Sequence, residues 1–182
     1  MGRAEVLELL HAYATRSLGR DETLAVAQVI EFVETHRDGL LRSCLSGHLT
    51  GSAWIVSTDR RQVLLTLHRK LGKWLQLGGH ADGNPHLLTV ALREAREESG
   101  LASVIPLESR IFDVDRHWIP GRQGEPGHWH YDVRFLFEAD SSLALTLSDE
   151  SRALAWVEVS EVLKLNPEAS MARMVQKTLE LG

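Results

Sequence analysis

Apolar positions recur with a helical period at the two ends of the chain and with a period of two in its middle, which predicts helices flanking a sheet. Val6, Leu9, Leu10, Tyr13 and Ser17 share one side of a helix predicted over Ala4 to Leu18, ended by Gly19. Asp21 caps a second helix to about His36, with Leu24, Ala27, Ile30 and Val33 as its inner face, and Gly39 closes it. Gly47 to Ser57 is strand-like, Asp59-Arg60 marks a turn, and Val63 to Leu67 suits a buried strand. A short strand follows at Trp74-Leu75-Gln76, and further strand is predicted within Val104 to Phe112. His117 to Gly127 reads as a loop. After it HWHYDVRFLFEA alternates, with Trp129, Tyr131, Val133, Phe135 and Phe137 on a core face and His130, Asp132, Arg134 and Leu136 on the other. That second face is too polar for core, so it borders water or a polar pocket. LAWV (Leu154 to Val157) is a last strand after the acidic turn Ser148-Asp149-Glu150. Terminal helices are predicted over Ser160 to Leu165 and Ser170 to Leu181, packing through Val162, Leu163, Met171, Met174, Val175 and Leu179.

One helix in the middle breaks the pattern. The stretch GGHADGNPHLLTVALREAREESGL runs from Gly78 to Leu101. Asn84 suits an N-cap, Pro85 the first helical position and Gly100 a left-handed C-terminal cap. Leu88, Ala91, Leu92 and Ala95 form one apolar stripe. Glu94, Glu97 and Glu98 stand at i, i+3 and i+4, roughly a third of a turn from it. Like charges at this spacing repel, and acidic groups in a last turn oppose the helix dipole. Such violations are expected mainly at functional sites. A hard cation such as Mg²⁺, which takes oxygen ligands, reverses the sign of each penalty. Taken alone, REAREE is first read as a solvated face on which Arg93 and Arg96 relieve the repulsion, since charge runs are usually surface.

Composition narrows the classes. At 182 residues the chain fits one domain with a helical extension, divided here as residues 1–40 and 41–182. A formal charge of −5 argues against a general nucleic-acid or membrane-surface binder. An anionic substrate then needs a metal or a local basic patch, and His68, Arg69, Lys70 and Lys73 supply one just before the glycine pair. The single cysteine, Cys44, cannot form an internal disulfide, which suits a reducing cytoplasm. No apolar run approaches membrane-spanning length, and Glu5 and Glu8 interrupt any signal-peptide core. His128 and His130 near His117, with His80 beside the glycine pair, raise the idea of a metal cluster. No recognised ligand spacing links them, so polar-surface or base-contacting roles are preferred over a zinc site.

The stretch from Gly79 to Leu101 resembles the Nudix box, G-x5-E-x7-R-E-U-x-E-E-x-G-U with U aliphatic. Gly79 is the leading glycine, Arg93 and Glu94 the R-E pair, Ala95 the aliphatic place, Glu97 and Glu98 the E-E pair, and Gly100-Leu101 the close. Pro85 stands where the first glutamate belongs, and Leu77 where many members have proline. The resemblance extends from about Gly47 to about Leu165. It implies an α/β fold of the α+β type, an α/β/α sandwich with a mixed sheet, here with an N-terminal helical extension that packs on the catalytic domain or a second subunit. It implies hydrolysis of the diphosphate linkage of a nucleoside diphosphate derivative, with Mg²⁺, or Mn²⁺ as the alternative ion. The metal would be held by Glu94, Glu97, Glu98 and the Gly79 carbonyl. Arg93 would orient the glutamates, one of Glu97, Glu98 and Glu150 would act as base, and Arg69, His130 and Arg134 would contact substrate. The implied partner is a small nucleotide, with a homodimer as a candidate assembly, and neither nucleic acid nor membrane. Two alternatives stand beside the hydrolase. One is a catalytically weak Nudix-like nucleotide-binding or regulatory module, which Pro85 favours. The other is an enzyme similar to isopentenyl-diphosphate isomerase, which would need a cysteine in the pocket; Cys44 lies well upstream of the box.

Overall fold

The first strand opens on a backbone crossing that only glycine permits. Gly47 has φ +154°, and a Cβ there would stand 2.5 Å from the Trp129 carbonyl oxygen. The Trp129 N–H meanwhile donates to the Ser46 carbonyl at 3.2 Å. These contacts belong to a computed structural model that describes residues 2–121, 124 and 126–181. Its elements are α1 (Gly2–Ala14), α2 (Arg20–Thr35), β1 (Gly47–Ser57), β2 (Gln62–His68), β3 (Trp74–Leu75), β4 (Leu77–His80), α3 (Leu87–Ser99) and β5 (Ile105–Pro106). There follow β6 (Asp113–Ile119), β7 (His128–Ala139), β8 (Ser151–Glu158), a 3₁₀ turn (Val159–Glu161), α4 (Val162–Leu165) and α5 (Ala169–Leu179). The eight strands belong to one sheet, in which β3-β2-β1-β7-β5 is the main path, β4 pairs with β1, β6 with β7 and β8 with β2. This is the α+β architecture with a mixed sheet that the resemblance of the glutamate-rich stretch implies.

Contacts divide the chain into two units, one of residues 1–52, 79–91 and 109–135, the other of residues 53–78, 92–108 and 136–182. In the first unit α1 buries Val6, Leu10 and Tyr13 as expected, but the face of α2 is rotated from the predicted one. Glu22, Ala25, Val26, Val29, Phe32 and Val33 are buried, while Leu24 is 59% exposed. The reason is polar: the Tyr13 hydroxyl reaches the Glu22 carboxylate and the Phe112 carbonyl, so a glutamate turns inward and takes the helix face with it. Gly19 stands at the N-cap of α2 and makes no side-chain cap bond, so Asp21 is not the cap. A mostly apolar cleft of about 140 Å³ beside these helices is lined by Ala14, Leu18, Thr23, Val26, Ala27 and Ile30 and carries no charge. β6 pairs with β7 over seven positions, from Asp113↔Arg134 to Ile119↔His128. His117 and Trp118 are therefore strand residues and not loop, while the strand expected within Val104 to Phe112 is the short β5.

In the second unit β2 is the central strand. It pairs antiparallel with β1 at Ile55↔Leu64, with β3 at Thr66↔Leu75 and with β8 from Gln62↔Glu158 to His68↔Ser151. Trp54 Nε1 donates to Thr178 Oγ1 at 2.8 Å and fixes α5 through its buried residues Met171, Met174 and Val175. Leu163 and Leu179, expected to pack, are exposed instead. At the end of α3, Gly100 has φ +74°, and a Cβ there would stand 2.5 Å from that of Thr146. Gly100→Ala should therefore lower stability by about 1–2 kcal/mol for the left-handed backbone alone, with the Thr146 overlap added. Equilibrium urea unfolding measures it, and a loss below about 0.3 kcal/mol would show that the turn relaxes freely.

Candidate active site

The loop leading into α3 is pinned from several directions within the first unit. Ala81 N–H donates to the Leu49 carbonyl at 3.1 Å, and Gly83 N–H donates to that of Leu40 at 2.8 Å. Arg42 clamps Asp82 with two parallel bonds of 2.7 and 2.5 Å, the bidentate geometry that suits guanidinium and carboxylate. Asn84 Oδ1 accepts from the His86 N–H at 3.0 Å in a turn before the helix, but regular helix starts at Leu87, so neither the expected N-cap at Asn84 nor the first helical position at Pro85 is found. Gly79 lies in β4. The apolar stripe of α3 shifts as well: Leu87, Val90, Ala91 and Ala95 are buried, and Leu88 and Leu92 only partly so.

The acidic face of α3 gathers its charges in the second unit. Arg93 Nη2 donates to Glu94 Oε1 at 2.6 Å. Glu97 is exposed, while Glu98 retains only 6% exposure, and its Oε2 has no hydrogen-bond partner. Burial pushes the Glu98 carboxyl up to about 8; Glu94, Glu150 and Glu97 add to the rise, and the Gly78 N–H bonded to the carboxylate opposes it. A buried carboxylate with an empty lone-pair direction among like charges is the donor set that a hard divalent cation fits. The distant Glu150 thus belongs to the electrostatic surroundings of the box glutamates. Glu150 immediately precedes β8, and the β2–β8 pairing brings Arg69 beside it. Arg69 N–H donates to the Glu150 carbonyl at 2.8 Å, and Arg69 Nη2 donates to that of Ser151 at 3.2 Å. The other basic groups of that turn have different tasks. His68 Nδ1 accepts from the N–H groups of Lys70 and Leu71, and Lys73 is paired with Glu168.

The polar face of β7 is buried at Asp132, Arg134 and Leu136 and half-buried at His128 and His130. Arg134 is 2% exposed, and donates to Asp132 Oδ2 at 2.8 Å, Asp113 Oδ2 at 3.1 Å and Asp115 Oδ2 at 3.2 Å. Thr50 and Ser52 donate to the other oxygen of Asp132 at 2.8 and 2.7 Å. Burial works against the Arg134 charge, but Asp115, Asp132 and Asp113 outweigh it and hold the guanidinium firmly protonated. Instead of a substrate anion, Arg134 meets three carboxylates of its own chain. His130 also has protein partners. Its ring lies 4.9 Å from that of His48, 5.2 Å from His80, 5.4 Å from His117 and 5.1 Å from His128. Sequence reading passed over His48 because it lies in β1, 80 residues from His128, with no spacing signal to connect them.

A family model described as the NUDIX domain matches residues 48–178. The chain belongs to the Nudix family. Solved Nudix-type structures carry the same fold at low identity. The C. elegans Ap4A hydrolase binary complex superposes with TM-score 0.59 at 17% identity, covering 73% of this chain and 96% of that one. The E. coli dihydroneopterin triphosphate pyrophosphohydrolase gives 0.56 at 14%, covering 72% and 95%. The NUDIX domain of Shewanella oneidensis NrtR, complexed with ADP ribose, gives 0.53 at 17%, covering 83% and 96%. No curated protein sequence matches the chain. By family the protein is a Nudix-type pyrophosphohydrolase, acting on acid anhydrides. Among the described residues no helix is long and apolar enough to cross a membrane. In this Nudix chain Arg93 is held by the adjacent Glu94, although Pro85 replaces the glutamate that typically pairs with that arginine.

Proposed function

We propose that this Nudix enzyme hydrolyses the diphosphate linkage of a nucleoside diphosphate derivative and requires Mg²⁺, with Mn²⁺ as a substitute. The observation that carries the reading is the buried Glu98 carboxylate, its Oε2 unpartnered, among Glu94, Glu97 and Glu150. Glu94, Glu97 and Glu98 would hold the cation, which when bound offsets charge on the diphosphate oxygens and lowers the pKa of water. Arg93 keeps Glu94 in place. Arg69, tied through its backbone to Glu150, offers the substrate phosphates a guanidinium at the edge of the same acidic group. Glu150 is exposed, and as a carboxylate it can accept the proton of the attacking water. The names of the similar proteins support a nucleotide-like substrate: Ap4A, dihydroneopterin triphosphate and ADP ribose each contain phosphoanhydride bonds.

The test is phosphoanhydride cleavage by the full chain with diadenosine tetraphosphate, ADP-ribose and nucleoside triphosphates, with and without Mg²⁺. Cleavage of at least one compound is expected only with the metal, and Glu97→Gln should remove it. Cleavage that persists in chelator would overturn the metal assignment, and silence across the panel would overturn the substrate class. Pro85 supports a second reading, a weakly catalytic binding module. In the enzyme reading Pro85→Glu changes the rate only modestly, since Arg93 already has its partner. A gain of a hundredfold, about 2.7 kcal/mol in barrier, would favour the module.

A further inference from the structure

The geometry points to a second metal site, built from His48, His128 and His130, that takes a borderline transition ion of the Zn²⁺ type and not the hard cation of the glutamates. One nitrogen from each ring lies within 4.8 Å of the other two. The site is assembled by the backbone. Gly47 lets the start of β1 touch Trp129, and the Trp129 N–H to Ser46 bond sets His48 beside the first turn of β7. His128 and His130 are two apart on that strand, so they project from one face.

The nitrogens are prepared for a ligand. His128 Nδ1 lies 3.0 Å from the Pro126 carbonyl, which can only accept, so Nδ1 carries the proton and Nε2 keeps its lone pair. That fixed tautomer, held by a carbonyl behind the ring, is the usual support for a metal-bound imidazole. His128 Nε2 and His130 Nε2 face each other at 3.2 Å. Two nitrogens on one tetrahedral Zn²⁺, at 2.0–2.1 Å each, stand about 3.3 Å apart. With His130 in its Nδ1–H form, both lone pairs point into the space between them.

The third ring supplies the independent observation. His48 is 4% exposed, and neither of its nitrogens makes a hydrogen bond. The Cys44 carbonyl lies near enough to favour its protonation, but not in hydrogen-bonding geometry. A buried imidazole without partners is costly, and a bound ion removes that cost. Three imidazoles and no thiolate or carboxylate suit zinc, copper or nickel far better than magnesium. Three protein ligands also leave a fourth position open, the form that binds water or an anionic oxygen.

The test needs no turnover, so it stands apart from the hydrolase assignment. The full chain, stripped with chelator and held in excess Mg²⁺ to occupy carboxylates, is titrated with Zn²⁺ against a chromophoric competitor. One tightly held Zn²⁺ per chain is expected. His48→Gln, His128→Ala and His130→Ala should each weaken it at least tenfold to a hundredfold, since even outer-shell partners cost that much. Glu97→Gln should leave it unchanged. Co²⁺ in place of Zn²⁺ should give the intense visible absorption of a tetrahedral site. His128 is only half-buried, so its variant decides the matter should His48→Gln fail to fold. Zn²⁺ affinity unaltered in His128→Ala, or lost in Glu97→Gln, would overturn the site, as would a weak octahedral Co²⁺ spectrum.

Discussion

Glu98→Gln is expected to abolish hydrolysis while making the metal-free protein more stable. The sign follows from where the proton sits. With its carboxyl raised to about 8, folded Glu98 keeps a proton that the unfolded chain has lost above its ordinary value of 4.5. Stability in chelator therefore falls as pH rises from about 4.5 to about 8, by ~1.4 kcal/mol per pH unit at most, and is level beyond. Glutamine has no proton to lose, so the slope disappears and the gain is largest above pH 8. The rate should drop at least a hundredfold, the scale of removing one preorganised electrostatic group. Glu97 is exposed, so Glu97→Gln should cut the rate alike and shift stability by less than about 0.5 kcal/mol. Thermal melts in chelator at pH 5 and pH 8, with initial rates in Mg²⁺, measure both effects. Equal pH slopes for wild type and Glu98→Gln would show that the carboxyl is solvated in the folded state.

Arg134→Ala should destabilise the chain by about 3–5 kcal/mol, enough to unfold many domains of this size. The substitution leaves Asp113, Asp115 and Asp132 facing one another without their counter-charge, two of them almost fully buried. Arg134→Lys should recover only part of the loss, because an ammonium cannot reproduce the fork that serves three carboxylates. Urea unfolding of the three proteins at neutral pH gives the comparison. A loss under about 1 kcal/mol, with KM altered, would return Arg134 to the substrate contact that the alternation of β7 first proposes.

That difference shows where local pattern stops being informative. The alternation identified the two faces of β7 correctly, since side-chain direction in a strand depends only on neighbouring residues. What lies against a face depends on partners far away in sequence. Thr50, Ser52, Asp113 and Asp115 come from two other strands, and they turn an apparently wet face into a buried ionic layer. The inner face of α2 departs from its hydropathy pattern for a similar reason. Hydropathy favours Leu24 over Glu22, yet the Tyr13 hydroxyl gives the glutamate a buried partner.

By itself the sequence determined the box: the glutamate spacing on α3, the closing Gly100 and hence the family and its class of reaction. Each of these rests on interactions within about one or two helical turns, where spacing and geometry are equivalent. The tertiary structure alone decided which carboxylate is buried, that Glu150 joins the charges around Glu98, and that Arg134 is neutralised internally. It alone also gathered His48, His80, His128 and His130, four rings from three strands. Burial and strand register are set by contacts distant along the chain, and the largest cause of the Glu98 shift and the histidine cluster both depend on them.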